Sequence, residues 1–259
     1  MYALPHLYQS LFGRLFGVNY NPMPATVTFR YKSTIARITS QPEFFQVAED
    51  EIIRCYTEIE KYIATDPAFE TTLEPYIVPE DANPILREMS AAGIICGVGP
   101  MAAVAGAIAK YAVQAMQKRG ATYAIVDNGG DIAILNDRPI VVGIYSGPAE
   151  IHDLGLRLPA RSTLTGVCTS SGVIGHSLSF GKSHASVILC EDPLLADAAA
   201  TALGNRIRTK NPVAIEKAMN DTLKFGVTGC IVIIDDYVGF AGEIPEICHI
   251  EMNENLIAR

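Results

Sequence analysis

The chain has 259 residues, 49% hydrophobic and 19% charged, with a net charge of −8 and a pI near 5.1. That is a folded composition, long enough for one large domain or two small ones. The acidic balance excludes nucleic-acid binding driven by phosphate neutralisation and a polybasic membrane anchor. A nucleotide ligand would need a local pocket of backbone N–H groups or a metal ion.

The first stretch, "MYALPHLYQSLFGRLFG", has no basic n-region and no small-residue cleavage site. We therefore expect no secretory or lipoprotein signal, and a cytoplasmic protein. In "ATVTFRYKSTIARIT", residues 25–39, β-branched residues alternate roughly with others, which predicts strands around a turn near Lys32–Ser33. From Glu43 to Ala64 the spacing of Phe45, Val47, Ile52, Tyr56, Ile59 and Ile63 is helical. Pro75, Pro79 and Pro84 then mark a loop region with a short helix after Asn83.

The next stretch, "GVGPMAAVAGAIAKYA" from Gly97 to Ala112, sits in a charge-free run from Met89 to Ala109. A membrane span fits by length only. Pro100 interrupts the run, and 12 of the 23 residues between Ala91 and Val113 are Gly or Ala, which gain little from lipid. A second reading is a dinucleotide fingerprint: Gly97, Gly99 and Ala102 match GxGxxG/A, with Asp127 as the ribose ligand of an NAD oxidoreductase. A hairpin after Asp127, where another βα unit should stand, counts against it. The third reading is a small-faced helix from about Pro100 to Lys118. It would let another backbone or a flat ligand come close, and its first N–H groups would form an anion site.

Further on, "ATYAIV", "DIAIL" and "IVVGIYS" predict strands, the first two joined by an "NGG" turn. Pro148 to Arg161 reads as loop, "STLTGVCTSSG" as strand into turn, and "HASVILC" as strand. A helix is predicted over Pro193–Arg206, capped by Asp192, and another over Pro212–Leu223. "GCIVIID" and "YVGFAG" form a hairpin. Hairpins and helices mix without a βαβ rhythm, so the fold class is α+β. We expect one unit, with residues 1–90 as an N-terminal strand and helix portion and 91–259 as the ligand-site core.

Chemistry concentrates in three places. The Gly129–Gly130 pair between Asn128 and Asp131 permits close backbone approach to a ligand. Asp197 and Thr201, four apart on a helix, share a face and are suited to hold Mg²⁺ beside water and phosphate oxygens. The segment from Thr169 to Ser186 offers the hydroxyls of Thr169, Ser170 and Ser171 to phosphates and His176 for proton transfer. The six cysteines, at 55, 96, 168, 190, 230 and 248, form no CxxC pair and read as reduced, mostly buried thiols. No GxSxG elbow or HExxH is present.

In order, "GAIAKYAVQAMQKRGATYAIVDNGGDIAI", "CTSSG", a histidine and "ASVIL…ADAAATAL" resemble the ApbE superfamily, with its GGIAKGYAVD-like helix, GGD-type turn, ATSG-like strand, HIIDP and SVTV…ADALSTAL segments. The resemblance covers about residues 97–205 and is nearest to the sister family of ApbE-like proteins of this length. It implies an ApbE-like fold and a Mg²⁺-dependent FAD:protein FMN transferase, which splits FAD, joins FMN to a Thr or Ser hydroxyl of a partner protein and releases AMP. By the same resemblance Asp197 and Thr201 ligate the metal, with a backbone carbonyl near Gly106 and Ala107. His176 takes the place of the HIIDP histidine, and Gly129, Gly130 and Asp131 line the nucleotide site. "HSLS" stands where the family has HIIDP. The alternative that the sister family implies is a non-flavinylating role in sulfur-amino-acid (homocysteine) assimilation, through a reactive Cys96 or Cys168. A homo-oligomer is compatible with either.

Overall fold

The structure is a computed structural model that describes residues 23–173 and 181–251. The predicted first hairpin forms as β1 (Ala25–Tyr31) and β2 (Thr34–Ser40), turning at Lys32. β2 then pairs with β3 (Ala124–Asn128), so the segments before and after residue 90 share one sheet. β4 (Asp131–Asn136), β7 (Arg161–Ser170), β8 (Ala185–Cys190), β9 (Gly229–Ile234) and β10 (Tyr237–Gly242) complete it. The order is β1-β2-β3-β4-β7-β8-β9-β10, antiparallel throughout. A smaller antiparallel sheet holds β5 (Ile140–Ile144), β6 (Leu154–Leu158) and β11 (Glu246–His249), in the order β11-β6-β5.

β6 corrects the reading of Pro148–Arg161 as loop. Its alternating Leu154, Leu156 and Leu158 are all buried, and they close the small sheet onto the large one. β11 is not among the strands that the sequence pattern predicts.

Helices cover the other face of the large sheet. α1 (Phe45–Thr65) packs on β1 and β2, α3 (Val104–Lys118) on β3 and β4, α4 (Pro193–Arg206) on β7 and β8, and α5 (Pro212–Leu223) on β9 and β10. α2 (Pro84–Cys96) lies against α4. The central strands β8 and β9 are buried along their whole length because they carry apolar residues to both faces. Ile188, Cys190, Cys230 and Val232 meet the helices, while Val187, Leu189, Ile231 and Ile233 meet the small sheet.

The helix predicted from Pro100 begins as a 3₁₀ turn, Pro100–Ala103, and becomes α-helical at Val104. The small-residue run is thus two helices, α2 and α3, bent by 104°. Among the described residues no single helix is long and apolar enough to cross a membrane. Gly97 (φ 71°) caps α2, and Gly99 packs on the backbone of Thr72 and Leu73. A helix, not a strand, precedes these glycines, and the sheet is antiparallel, so the dinucleotide fingerprint lacks the βαβ unit it requires. α4 behaves differently from an amphipathic helix: Leu194, Ala196, Ala198, Ala199, Ala200, Ala202 and Leu203 bury nearly all its faces. As predicted, Asp192 caps it, its Oδ1 accepting the Leu194 N–H at 3.0 Å.

Candidate functional site

The β3–β4 hairpin turns over Gly129 and Gly130, with φ of 71° and 100°. Two successive left-handed residues are what a two-residue hairpin loop of this twist needs. The Gly130 N–H donates to Asp127 Oδ1 at 2.9 Å and ties the turn. Asp131 follows as the first residue of β4, opposite Cys168 of β7. Side chains alternate along a strand, so Asp131 shares the helix-facing side with Ala133 and Leu135.

α4 brings Asp197 to the same place. The Gly106 N–H donates to Asp197 Oδ2 at 2.8 Å, and the Ala105 N–H also faces this carboxyl. A Cβ on Gly106 would lie 2.5 Å from the Pro193 carbonyl oxygen and 2.7 Å from Asp197 Cβ. The small face of α3 therefore serves close helix–helix approach. The N–H groups read from sequence as an anion site do receive an anion, but it is the chain's own carboxylate. Asn128 adds a tie from the strand side, its Nδ2 donating to the Ala105 carbonyl at 3.3 Å.

Desolvation governs the electrostatics of the pair. Burial holds the Asp197 carboxyl above the usual carboxylate range, against the opposing effect of the Gly106 and Ala105 N–H groups. Asp131 is pushed well up, by burial first and then by the negative charge of Asp197 and Asp127; the Thr169 N–H and Cys168 thiol oppose this. Asp131 Oδ1 is buried and makes no hydrogen bond among the described residues. Lys110 of α3 is engaged elsewhere, with Glu88 at 2.8 Å and Asp192 at 2.9 Å.

Among the other predicted residues, Thr201 lies one turn beyond Asp197 on α4 and is half-buried, and Ala107 is fully buried next to Gly106. Ser170 is buried two residues after Cys168 and so on the same face of β7, whereas Thr169 falls on the opposite face. Ser171 Oγ accepts the Val173 N–H at 3.1 Å. His176 lies outside the described residues. Cys96 and Cys168 are buried; desolvation pushes the Cys96 thiol up to about 12 and Cys168 well above its ordinary value. A nucleophilic thiol needs the reverse.

Sequence reasoning missed two features. One is the meeting of Asp131 with Asp197. The other is a groove of about 420 Å³ beyond the end of β7, lined by Lys182, His184, Arg208 and Lys210. The His184 Nδ1 accepts the Asp235 N–H at 3.1 Å, which leaves the proton of the neutral ring on Nε2.

Among the described residues no three His, Cys, Asp or Glu side chains are grouped to hold a metal. A cation at the carboxyl pair would rely on two carboxylates, the Thr201 hydroxyl, backbone carbonyls and oxygens of water or ligand. That is a hard-oxygen set, of the kind Mg²⁺ takes.

The chain matches the family model described as "AbpE bacteria" over residues 27–225. It is 47% identical over 239 residues to a UPF0280 protein of Methanocella arvoryzae, covering 92% of this chain and 96% of that one. A UPF0280 protein of Methanosarcina acetivorans is 45% identical over 238 residues, covering 91% and 94%. Among solved structures, the flavin transferase ApbE from Vibrio cholerae superposes with a TM-score of 0.54 at 12% identity, over 84% of this chain and 96% of that one. The apo flavinyl transferase ApbE of Pseudomonas stutzeri gives 0.56 at 11% identity, over 91% and 97%. These structural likenesses establish a shared fold. The chain belongs to the ApbE-like UPF0280 family.

Proposed function

We propose that this protein binds a flavin nucleotide or a related diphosphate together with Mg²⁺, and that its reaction is transfer of FMN from FAD to a Ser or Thr hydroxyl of a partner protein, with release of AMP. The observation that carries the reading is the Asp131–Asp197 pair, Asp197 buried and Asp131 half-buried with its Oδ1 buried and unmatched, set beside a glycine turn and the hydroxyl-bearing end of β7. The names of the solved structures that share the fold support the flavin part.

Asp197, Thr201 and the backbone carbonyl near Gly106 and Ala107 are the ligands proposed for the cation. When bound, Mg²⁺ supplies charge neutralisation at the diphosphate and at the transferring phosphorus. Asp197 is pre-positioned by the Gly106 N–H, so its oxygen needs no reorganisation on loading. Asn128 holds the start of α3 against the hairpin, and the Gly129–Gly130 turn leaves open space where side chains would otherwise stand. Ser170 and Ser171 are proposed to hydrogen-bond ligand phosphate, and His176 to take the proton of the acceptor hydroxyl. Lys182 and Arg208, in a groove that Asp235 also lines, are proposed to supply positive charge for an anionic ligand, while Lys210 is paired with Asp236.

The test is AMP release from FAD by purified protein with Mg²⁺, for wild type and Asp197→Asn. We expect release by the wild type and a loss of at least about a hundredfold in the variant, the scale seen on removing one electrostatic catalytic group. Unchanged release by the variant overturns the metal assignment. FAD that neither raises the melting temperature nor is cleaved overturns the flavin reading.

A further inference from the structure

The carboxyl pair contains more than the single carboxylate that the ADxxxT spacing of Asp197 and Thr201 supplies. Asp131 enters from the opposite side, on β4, and its Oδ1 is a buried acceptor with no donor among the described residues. Buried oxygens of this kind are costly unless a proton or a cation meets them. The groups acting most strongly on the two carboxyls are backbone N–H groups, the Cys168 thiol and other carboxyls; no Lys, Arg or His is among them.

We propose, building on the cation–diphosphate reading above, that Asp131 is itself a ligand of the divalent cation, its Oδ1 binding the ion jointly with Asp197. Asp131 then changes role, from lining a nucleotide site to holding its metal. Both carboxyls are fixed before any ion arrives: Asp131 by the Gly129–Gly130 turn and the β4–β7 register, Asp197 by the Gly106 N–H at 2.8 Å. The neighbouring Cys168 sulfur is held as a thiol, within hydrogen-bond reach of the Pro193 carbonyl at 3.4 Å and of Asp131, and is not a ligand in this proposal. What remains is oxygen only, which favours Mg²⁺ or Mn²⁺ over thiophilic metals. The competing account is that the pair merely shares a proton, with Asp131 permanently neutral.

Titration of the full chain with Mn²⁺, read by the electron paramagnetic resonance signal of the free ion, separates the two. Wild type, Asp131→Asn, Asp131→Glu and Asp197→Asn are compared, each also melted without metal. We expect Asp131→Asn to weaken Mn²⁺ binding at least about tenfold, as loss of a charged ligand should. Its metal-free melting temperature should stay close to that of the wild type, since a carboxamide can donate to Asp197 in place of the Asp131 carboxyl. Asp131→Glu, which keeps the charge, should bind more tightly than Asp131→Asn. If Asp131→Asn binds Mn²⁺ like the wild type while Asp197→Asn does not, Asp131 only shares a proton and the inference fails with the broader reading intact. If Asp197→Asn also binds like the wild type, or the wild type does not bind, both fail. Should Asp131→Asn unfold, Asp131→Glu decides: binding no tighter than that of Asp197→Asn overturns the inference.

Discussion

Cys96 shows how little a side chain's neighbours in sequence say about its chemistry. It stands beside a glycine-rich stretch and near the start of a helix, where a thiol is often activated, yet it is 2% exposed and burial pushes it up to about 12. At pH 8 a thiol so shifted is ionised to about one part in ten thousand. A neutral-pH thiol reagent should therefore leave Cys96 and Cys168 unlabelled in the native protein and label the half-buried Cys248 first, with all six reacting in guanidinium. Peptide mapping reads the order, and fast native labelling of Cys96 would restore a role for a nucleophilic sulfur. Asp197 and Thr201 were legible as a pair because i,i+4 spacing is a local property of a helix. The Asp131–Asp197 contact was not, because it depends on the register of β4 against β7 and on where α4 rests on the sheet.

At the scale of elements, local signals predicted well wherever the deciding chemistry is local. α4 and α5 begin where a capping Asp192 or Asn211 precedes a proline, and the strands flanking the Gly129–Gly130 and Asp235–Asp236 turns fall where those turns put them. Five-residue β6, short and with glycine and arginine between its leucines, gave too weak a pattern, although its Leu154, Leu156 and Leu158 do alternate. The small face of α3 reads from sequence as open to another backbone or a flat ligand; the structure sets the backbone of α4 against it at Gly106. That contact is sharply testable: a methyl at position 106 would lie inside the Pro193 carbonyl and the Asp197 side chain. Gly106→Ala should destabilise the protein by about 1–3 kcal/mol through overpacking, measured by urea unfolding at constant m. A neutral result would mean that the two helices yield easily.

The whole molecule is a three-layer arrangement of helices, an eight-stranded sheet and a three-stranded sheet, with two apolar cores. Strand order could not be read from one sequence, since β4 pairs with β7 across the intervening β5 and β6, which leave to build the second sheet. Leu156, fully buried, faces the core between the sheets. Leu156→Ala should cost about 2–5 kcal/mol. If the small sheet opens as its own unit, amide exchange should accelerate most in β5, β6 and β11, before the helix layer. Equal acceleration in α3 and α4 would show that both cores melt together. The hydrogen bond from Gly106 to Asp197 carries a different consequence. It fastens α4 to α3 through one backbone amide, and Asn128 fastens α3 to the sheet through another contact. The three elements are tied together at this point, so the Gly106 amide should exchange with deuterium equally slowly with and without added Mg²⁺ and FAD, as amide exchange read by mass spectrometry would check.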